Sequence, residues 1–367
     1  MRKNSTFLCA VSAIALVAGV TVFSASASAL DFKGKKVTAI VPFAEGGGSD
    51  RMARLWMPYY SKYLPGKPRI IIRNMPGGGS IKGSNWFHKN AKPDGTMISL
   101  VSTSNQTGQV LGGKKVKFNL LDWKMIVLEP VGTIFYTHPK VGLQGKGIGE
   151  SIDILRKTPI VFGAKNPTAA ELRGFLAFEL LGIKNVKAVF GLSTGKQRKA
   201  LLRGETNINY DSASAYLKNV DQKYVKSGKV IPLMTLGIWK NGKFERDPGY
   251  PNLPTVYEAY KAANGGKEPS GIEYEAFKNF FQMGVTASKA IALPPKTPQA
   301  TVDVWVAATK KVMEDKDFIK KAGKIFTAYE KVFGTDASAV IRSAIDLSPE
   351  VKAYMKKFIK EKFNTNI

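Results

Sequence analysis

Thr38-Ala39-Ile40-Val41-Pro42-Phe43-Ala44-Glu45-Gly46-Gly47-Gly48-Ser49-Asp50 carries an apolar, β-like run into three glycines, and Arg51-Met52-Ala53-Arg54-Leu55-Trp56 continues it with helical character. The same order returns in Ile70-Ile71-Ile72-Arg73-Asn74-Met75-Pro76-Gly77-Gly78-Gly79-Ser80, followed by Ile81-Lys82-Gly83-Ser84-Asn85-Trp86. Glycine lets a backbone approach a ligand and take positive φ. The first turn of the helix that follows presents unpaired N–H groups and a partial positive charge. Two such turns predict a grip for an anion.

Around these loops the chain alternates short apolar runs with longer helical patterns, which predicts α/β units with parallel strands. Strands are expected at Val37–Phe43, Arg69–Asn74 and Thr96–Ser102, with helices at Ser49–Leu64 and Ser80–Asn90. The third strand ends in a polar loop, Thr103-Ser104-Asn105-Gln106. A second block begins near Val131, with strands at Thr133–Thr137, Ile160–Ala164, Val186–Phe190 and Asn207–Tyr210. Its helices are expected at Ser151–Lys157, Glu171–Leu181 and in a basic stretch through Leu202. Ligands of open α/β sheets bind beyond the carboxyl ends of strands, and both blocks place polar or glycine-rich loops there. From Trp239 to Gly271 the chain is rich in glycine, proline, asparagine and charge, which predicts an irregular surface insertion around Asn264-Gly265-Gly266-Lys267. Helical periodicity resumes from Pro298 to Phe363.

The first residues read as a secretory leader: Arg2 and Lys3, an apolar stretch from Phe7 to Phe23, then small residues to Ala29. Cleavage after Ala29 would make Leu30 the mature N-terminus and export the protein to the periplasm; an uncleaved anchor is the rival reading. The one cysteine, Cys9, lies within that leader. A mature chain without disulfides then needs a core of ordinary size, and residues 30–367 divide naturally into two domains. Boundaries are expected at 30–132 with 255–367 for one lobe and 133–254 for the other.

With 55 basic and 28 acidic residues the net charge is +27. The charge is spread along the chain, export separates it from nucleic acid, and no nucleic-acid motif is present. Its expected consequence is a general attraction for small anions.

Enzyme signatures fail individually. Gly191-Leu192-Ser193-Thr194-Gly195 matches the G-x-S-x-G elbow, but in that fold the histidine follows the serine, and His88 and His138 both precede Ser193. No stretch satisfies the P-loop pattern G-x-x-x-x-G-K-[ST], and no histidine or cysteine spacing suits a metal. No cofactor is expected. A secreted serine hydrolase using Ser193 is the alternative to a binding protein.

The two glycine loops resemble the signature loops of the tripartite tricarboxylate transporter substrate-binding proteins, the Bug or TctC family. Lys92-Pro93-Asp94-Gly95-Thr96, Leu201-Leu202-Arg203-Gly204-Glu205 with Tyr210-Asp211, and Pro251-Asn252-Leu253-Pro254-Thr255 are similar to later family segments, in the same order. The resemblance implies a monomeric, two-lobed periplasmic binding protein of type II-like α/β architecture, with parallel-rich sheets and the C-terminal helices returning to the first lobe. It would close on a small organic carboxylate and deliver it to a separate membrane permease, without chemistry. It also implies that Phe43, Gly46, Gly47, Gly48, Ser49 and Asp50, with Gly77, Gly78, Gly79 and Ser80, hold the carboxylate through backbone N–H groups and ordered water. Ser102, Thr103 and Ser104, with Thr168, Ala169 and Asp211, would complete the cleft.

The chain departs from the family at Ala44-Glu45, where Glu45 is expected to point to solvent, and at Phe190. Lys165-Asn166-Pro167-Thr168 with Glu171 replaces a loop of small residues, so Lys165 is a candidate to pair a second ligand carboxylate. Ser49 and Ser80 each read equally as ligand contacts or as N-caps. Asp50 reads mainly as a complement to its helix dipole.

Overall fold

The computed structural model describes residues 30–240 and 242–367; the leader, Cys9 and the expected cleavage site lie outside the described residues. Along the chain come β1 (Lys36–Val41), α1 (Gly48–Tyr63), β2 (Arg69–Asn74), α2 (Ile81–Asn90), β3 (Met97–Ser102), α3 (Thr103–Leu111) and β4 (Lys124–Glu129). The second block holds β5 (Thr133–Thr137), α4 (Ile148–Lys157), β6 (Ile160–Gly163), α5 (Leu172–Leu180), β7 (Val186–Val189), α6 (Thr194–Leu202), β8 (Ile208–Ser212), α7 (Ala213–Tyr216) and β9 (Ile231–Thr235). A hairpin of β10 (Ile238–Lys240) and β11 (Lys243–Glu245) follows, then α8 (Val256–Ala263), α9 (Gly271–Phe281) and β12 (Lys289–Leu293). The chain ends with α10 (Gln299–Glu314), α11 (Lys316–Thr327), β13 (Val332–Phe333), α12 (Gly334–Ile345) and α13 (Pro349–Phe363).

Two sheets divide the molecule, in the orders β13-β4-β12-β3-β1-β2 and β7-β6-β8-β5-β9. Each is mixed where parallel-rich sheets are expected. β1 pairs in parallel with β2 and β3, and β6 with β7 and β8, but β12 runs against β3 and β4, and β5 against β8 and β9. The cause is the crossing of the chain. β5 and β12 each enter their sheet from the cleft, so they start where their neighbours end. Lys289, first in β12, is level with Ser102 and Glu129, last in β3 and β4. The crossings run side by side, the Val131 N–H donating to the Val285 carbonyl (3.1 Å).

α1 buries Trp56 and Tyr60 against Trp305 of α10 and Phe318 of α11, an aromatic core for the first lobe. The second lobe centres on Phe135, Phe162, Phe178 and Tyr210. Two elements within 255–367 touch the second block. α8 packs on α4 and β9, and α13 lies on α9 and sends Phe363 against Phe175 and Phe190. Those are apolar contacts of the second lobe, so the C-terminal helix spans both.

The polar stretch after β3 is helical from its first residue. The Ser102 side chain accepts the Ser104 N–H (3.3 Å), and Asn105 accepts the Ser102 N–H (2.8 Å), a reciprocal cap that starts α3. Thr255 and Glu258 form a similar box at the head of α8, and between α8 and α9 the chain has neither helix nor strand over 264–270, where the irregular insertion is expected.

Candidate functional site

β1 and β2 are paired in register to their last residues, Val41 opposite Asn74, so both glycine loops leave the sheet side by side. Asn74 ties them together by donating to the Phe43 carbonyl (3.0 Å) and to Asp50 Oδ1 (3.0 Å). Asp50 Oδ2 accepts the Gly46 N–H (2.9 Å) and Arg54 Nε (3.0 Å). Burial works to raise the Asp50 carboxyl, but Arg54, the Gly46 N–H and Asn74 outweigh it and hold it below its ordinary value. Asp50 therefore fixes the loop from behind, a tie to Gly46, Asn74 and Arg54 beyond the dipole role read from the sequence.

Neither serine caps its helix through its side chain. Gly47 occupies the N-cap of α1, with Ser49 inside the first turn, and the Ser80 hydroxyl makes no cap bond to α2. Ser80 is unusual in three ways. It is fully buried, its Oγ has no hydrogen-bond partner, and its φ of 138° is one a side chain rarely adopts. Backbone strain and an orphaned buried hydroxyl of this kind cluster at functional sites in proteins.

Between the two sheets lies a cavity of about 310 Å³, a size suited to a small molecule. Of the candidate ligand residues, Phe43, Gly47, Gly48, Ser49, Gly77, Gly78, Gly79, Ser80, Ser102, Thr103, Ser104, Lys165 and Asp211 line it. Gly46, Asp50, Thr168 and Ala169 do not. Gly46 gives its carbonyl to Arg198 (3.1 Å), and Thr168 turns back to Asn166 (2.9 Å). Ala170, not Ala169, faces the cavity and donates its N–H to Ser104 Oγ across the lobes (3.1 Å). Glu45 sits at the rim with its side chain largely in solvent, paired with Arg54.

Charge in the wall is arranged in pairs with two exceptions. Lys165 bonds Glu171, a contact within its own lobe. Burial pushes Glu171 up, but Lys165 and Gln197 overcome it and keep the carboxyl low. Arg198 Nη1 bonds Asp211 Oδ1 (3.0 Å), and Tyr136 donates to Asp211 Oδ2 (2.8 Å). Burial still wins at Asp211 and holds its pKa above the ordinary value. The exceptions are Arg173 and Lys289, both unanticipated from sequence. Arg173 reaches from α5 to the Gly284 carbonyl and to Thr103 Oγ1 (3.3 Å), and stacks 4.8 Å over the Tyr210 ring. Lys289 makes only long contacts, to Ser212 Oγ (3.4 Å) and Ser214 Oγ (3.5 Å), and burial lowers its pKa to about 8.

Ser193 also lines the cavity, but neither histidine joins it. His88 accepts from Trp123 Nε1 (3.0 Å), and His138 accepts the Lys140 N–H (3.2 Å). Among the described residues no cluster of histidine, cysteine or carboxylates suits a metal ion.

A scan against protein-family models finds no match, and neither does a search of curated protein sequences. Solved structures are similar over nearly the whole chain. The periplasmic binding protein BugD is 20% identical with a TM-score of 0.66, covering 89% of this chain and 97% of its own. MatC from Rhodopseudomonas palustris, solved with malate, is 18% identical with a TM-score of 0.60, covering 85% and 98%. A second R. palustris protein, solved with adipate, is 16% identical with a TM-score of 0.64, covering 89% and 96%. The chain thus has the two-lobed fold of periplasmic binding proteins, with flanking helices and a cleft between mixed sheets.

Proposed function

We propose that this protein is a periplasmic solute-binding protein of the Bug or TctC type, which captures a small organic carboxylate and delivers it to a tripartite tricarboxylate-type permease. The observation that carries the reading is the convergence of two glycine loops, two helix N-termini and the unsatisfied Ser80 hydroxyl on one cleft between the lobes. The loops supply N–H donors with no side chain in the way, a grip suited to a small anion such as a carboxylate. Structurally similar proteins carry malate and adipate.

The role is binding without chemistry. Closure around the ligand shifts the protein between open and closed populations, and the permease reads the closed form. Residues 30–132 with most of 255–367 form one lobe and 133–254 the other. A thermal-shift panel of carboxylates tests the reading, since a ligand specific to the native state stabilises by about 2.7 kcal/mol at roughly one hundred times its dissociation constant. No shift with any organic acid, alongside turnover of a generic ester that Ser193→Ala abolishes, would replace it with a hydrolase.

A further inference from the structure

Lys289 and Arg173 stand on opposite lobes, both line the cavity, and both are about 5% exposed. Among the described residues neither is in an ion pair. Around the cavity, Lys165 is matched by Glu171 and Arg198 by Asp211, while Arg54 takes Asp50. Arg51, behind Lys289, bonds only the Asn219 side-chain oxygen. Glu129, level with Lys289 in the sheet, is the remaining buried carboxylate near it. The two cavity-lining cations Arg173 and Lys289 therefore have no carboxylate of their own, and Glu129, the one nearest Lys289, also faces the buried Lys331.

Buried charge without a counter-charge is strongly disfavoured. Other groups here also lack partners: Arg173 Nε and Ser80 Oγ are buried with no hydrogen bond. We propose that Lys289 and Arg173 form an anion subsite in the cleft, so that the protein selects small organic dianions, dicarboxylates in the first instance, over monoacids of the same length. One carboxylate lies on the glycine loops and the cations neutralise the second. Because the two cations come from different lobes, the second carboxylate also bridges the lobes and favours closure. Lys165, the sequence-based candidate for this role, is already committed to Glu171.

This inference rests on the carboxylate reading, and the test separates the two. Titration calorimetry at pH 7 and fixed ionic strength compares succinate with succinamate, and adipate with its half-amide, so that only the second charge differs. Wild type should prefer at least one diacid over its half-amide by a hundredfold or more. Lys289→Met should shrink that preference tenfold or more, with Lys289→Arg restoring it. Arg173→Met should act in the same direction, with circular dichroism reporting whether that bridging residue is also needed for folding. Equal affinity for diacid and half-amide, or an unchanged preference in Lys289→Met, would overturn the subsite while leaving carboxylate binding in place. Wild type that binds none of the four compounds or any other carboxylate would overturn both.

Discussion

The Lys289 ammonium lies 3.2 Å from where a Cβ on Gly48 would stand, which puts a buried cation directly against the first turn of α1. The glycine is there for room, and its backbone is helical. Ser212 Oγ, at 3.1 Å from the same point, closes the other side. Gly48→Ala should push aside the ends of two side chains and leave the fold intact, while moving the cation away from the helix terminus. Carboxylate affinity should fall about tenfold, on the order of 1.4 kcal/mol, with thermal stability of the unliganded protein almost unchanged. Calorimetry and a melting curve on one sample check both halves.

Gly83 gives the contrasting case. A Cβ there would meet the Met75 carbonyl oxygen at 2.6 Å and the Pro42 backbone at 2.9 Å, neither of which can rotate away. Gly83→Ala should destabilise the fold by about 1–3 kcal/mol through overpacking, measured by urea unfolding. A variant as stable as wild type would show that α2 and the two loops can move apart at little cost.

The two glycine loops were legible because strand, turn and helix follow each other within a few residues, and local chemistry alone specifies them. β1, β2 and β3 follow the same logic to within one or two residues at each end. What escaped was long-range. β12 is five residues of ordinary composition, and nothing local says that it inserts between β3 and β4. Its first residue is a lysine, which reads as a solvated charge until the crossing brings it to the cleft. Arg173 did carry a signal, being the sole charge in the apolar run Leu172–Phe178 of α5. A cation with no polar face around it has to point at something polar. Lys165, by contrast, stood out by sequence position, but Glu171 six residues on was the more immediate partner.

Ligand binding should depend on pH through Lys289. Burial lowers this group to about 8; Arg173 and Arg51 push the same way, whereas Glu129 and Asp211 oppose them. Only the protonated lysine attracts an anion, and a bound anion raises its pKa. Affinity should be level from just below pH 8 down to the range where the ligand's own carboxylates protonate, and should fall as pH rises above 8, by up to tenfold per unit, until the pKa of the complex is passed. Calorimetry above pH 8 in buffers of differing ionisation enthalpy should show proton uptake on binding. Lys289→Met should bind with no such dependence.

The Lys165–Glu171 pair predicts an acid-sensitive term in folding. The Glu171 carboxyl is held below its unfolded value of 4.5. A depressed carboxylate adds stability that is fully present above the unfolded value and is lost as pH falls through the folded one. Melting temperature should therefore decline below pH 4.5 more steeply in wild type than in Glu171→Gln. Equal slopes would mean that the pair contributes nothing to acid stability.

Gly79 tests closure itself. Its φ is +74°, and a Cβ would stand 2.6 Å from Asn166 Nδ2 and 3.4 Å from the Ala169 Cβ, both on the opposite lobe. Alanine there meets two penalties, a left-handed backbone that costs about 1 kcal/mol in any state of the protein and a collision that exists only when the lobes are together. The first lowers stability with or without ligand. The second acts on the closed state alone, so it weakens binding and shifts the ligand-free protein toward the open form. Asn166→Gly removes the nearer obstacle and should restore affinity to Gly79→Ala without restoring its stability. Small-angle scattering should show a larger radius of gyration for Gly79→Ala than for the double variant at saturating ligand concentration. If the second substitution rescues nothing, the loop is limited by its own backbone, and contact between lobes at Asn166 is not what completes the site.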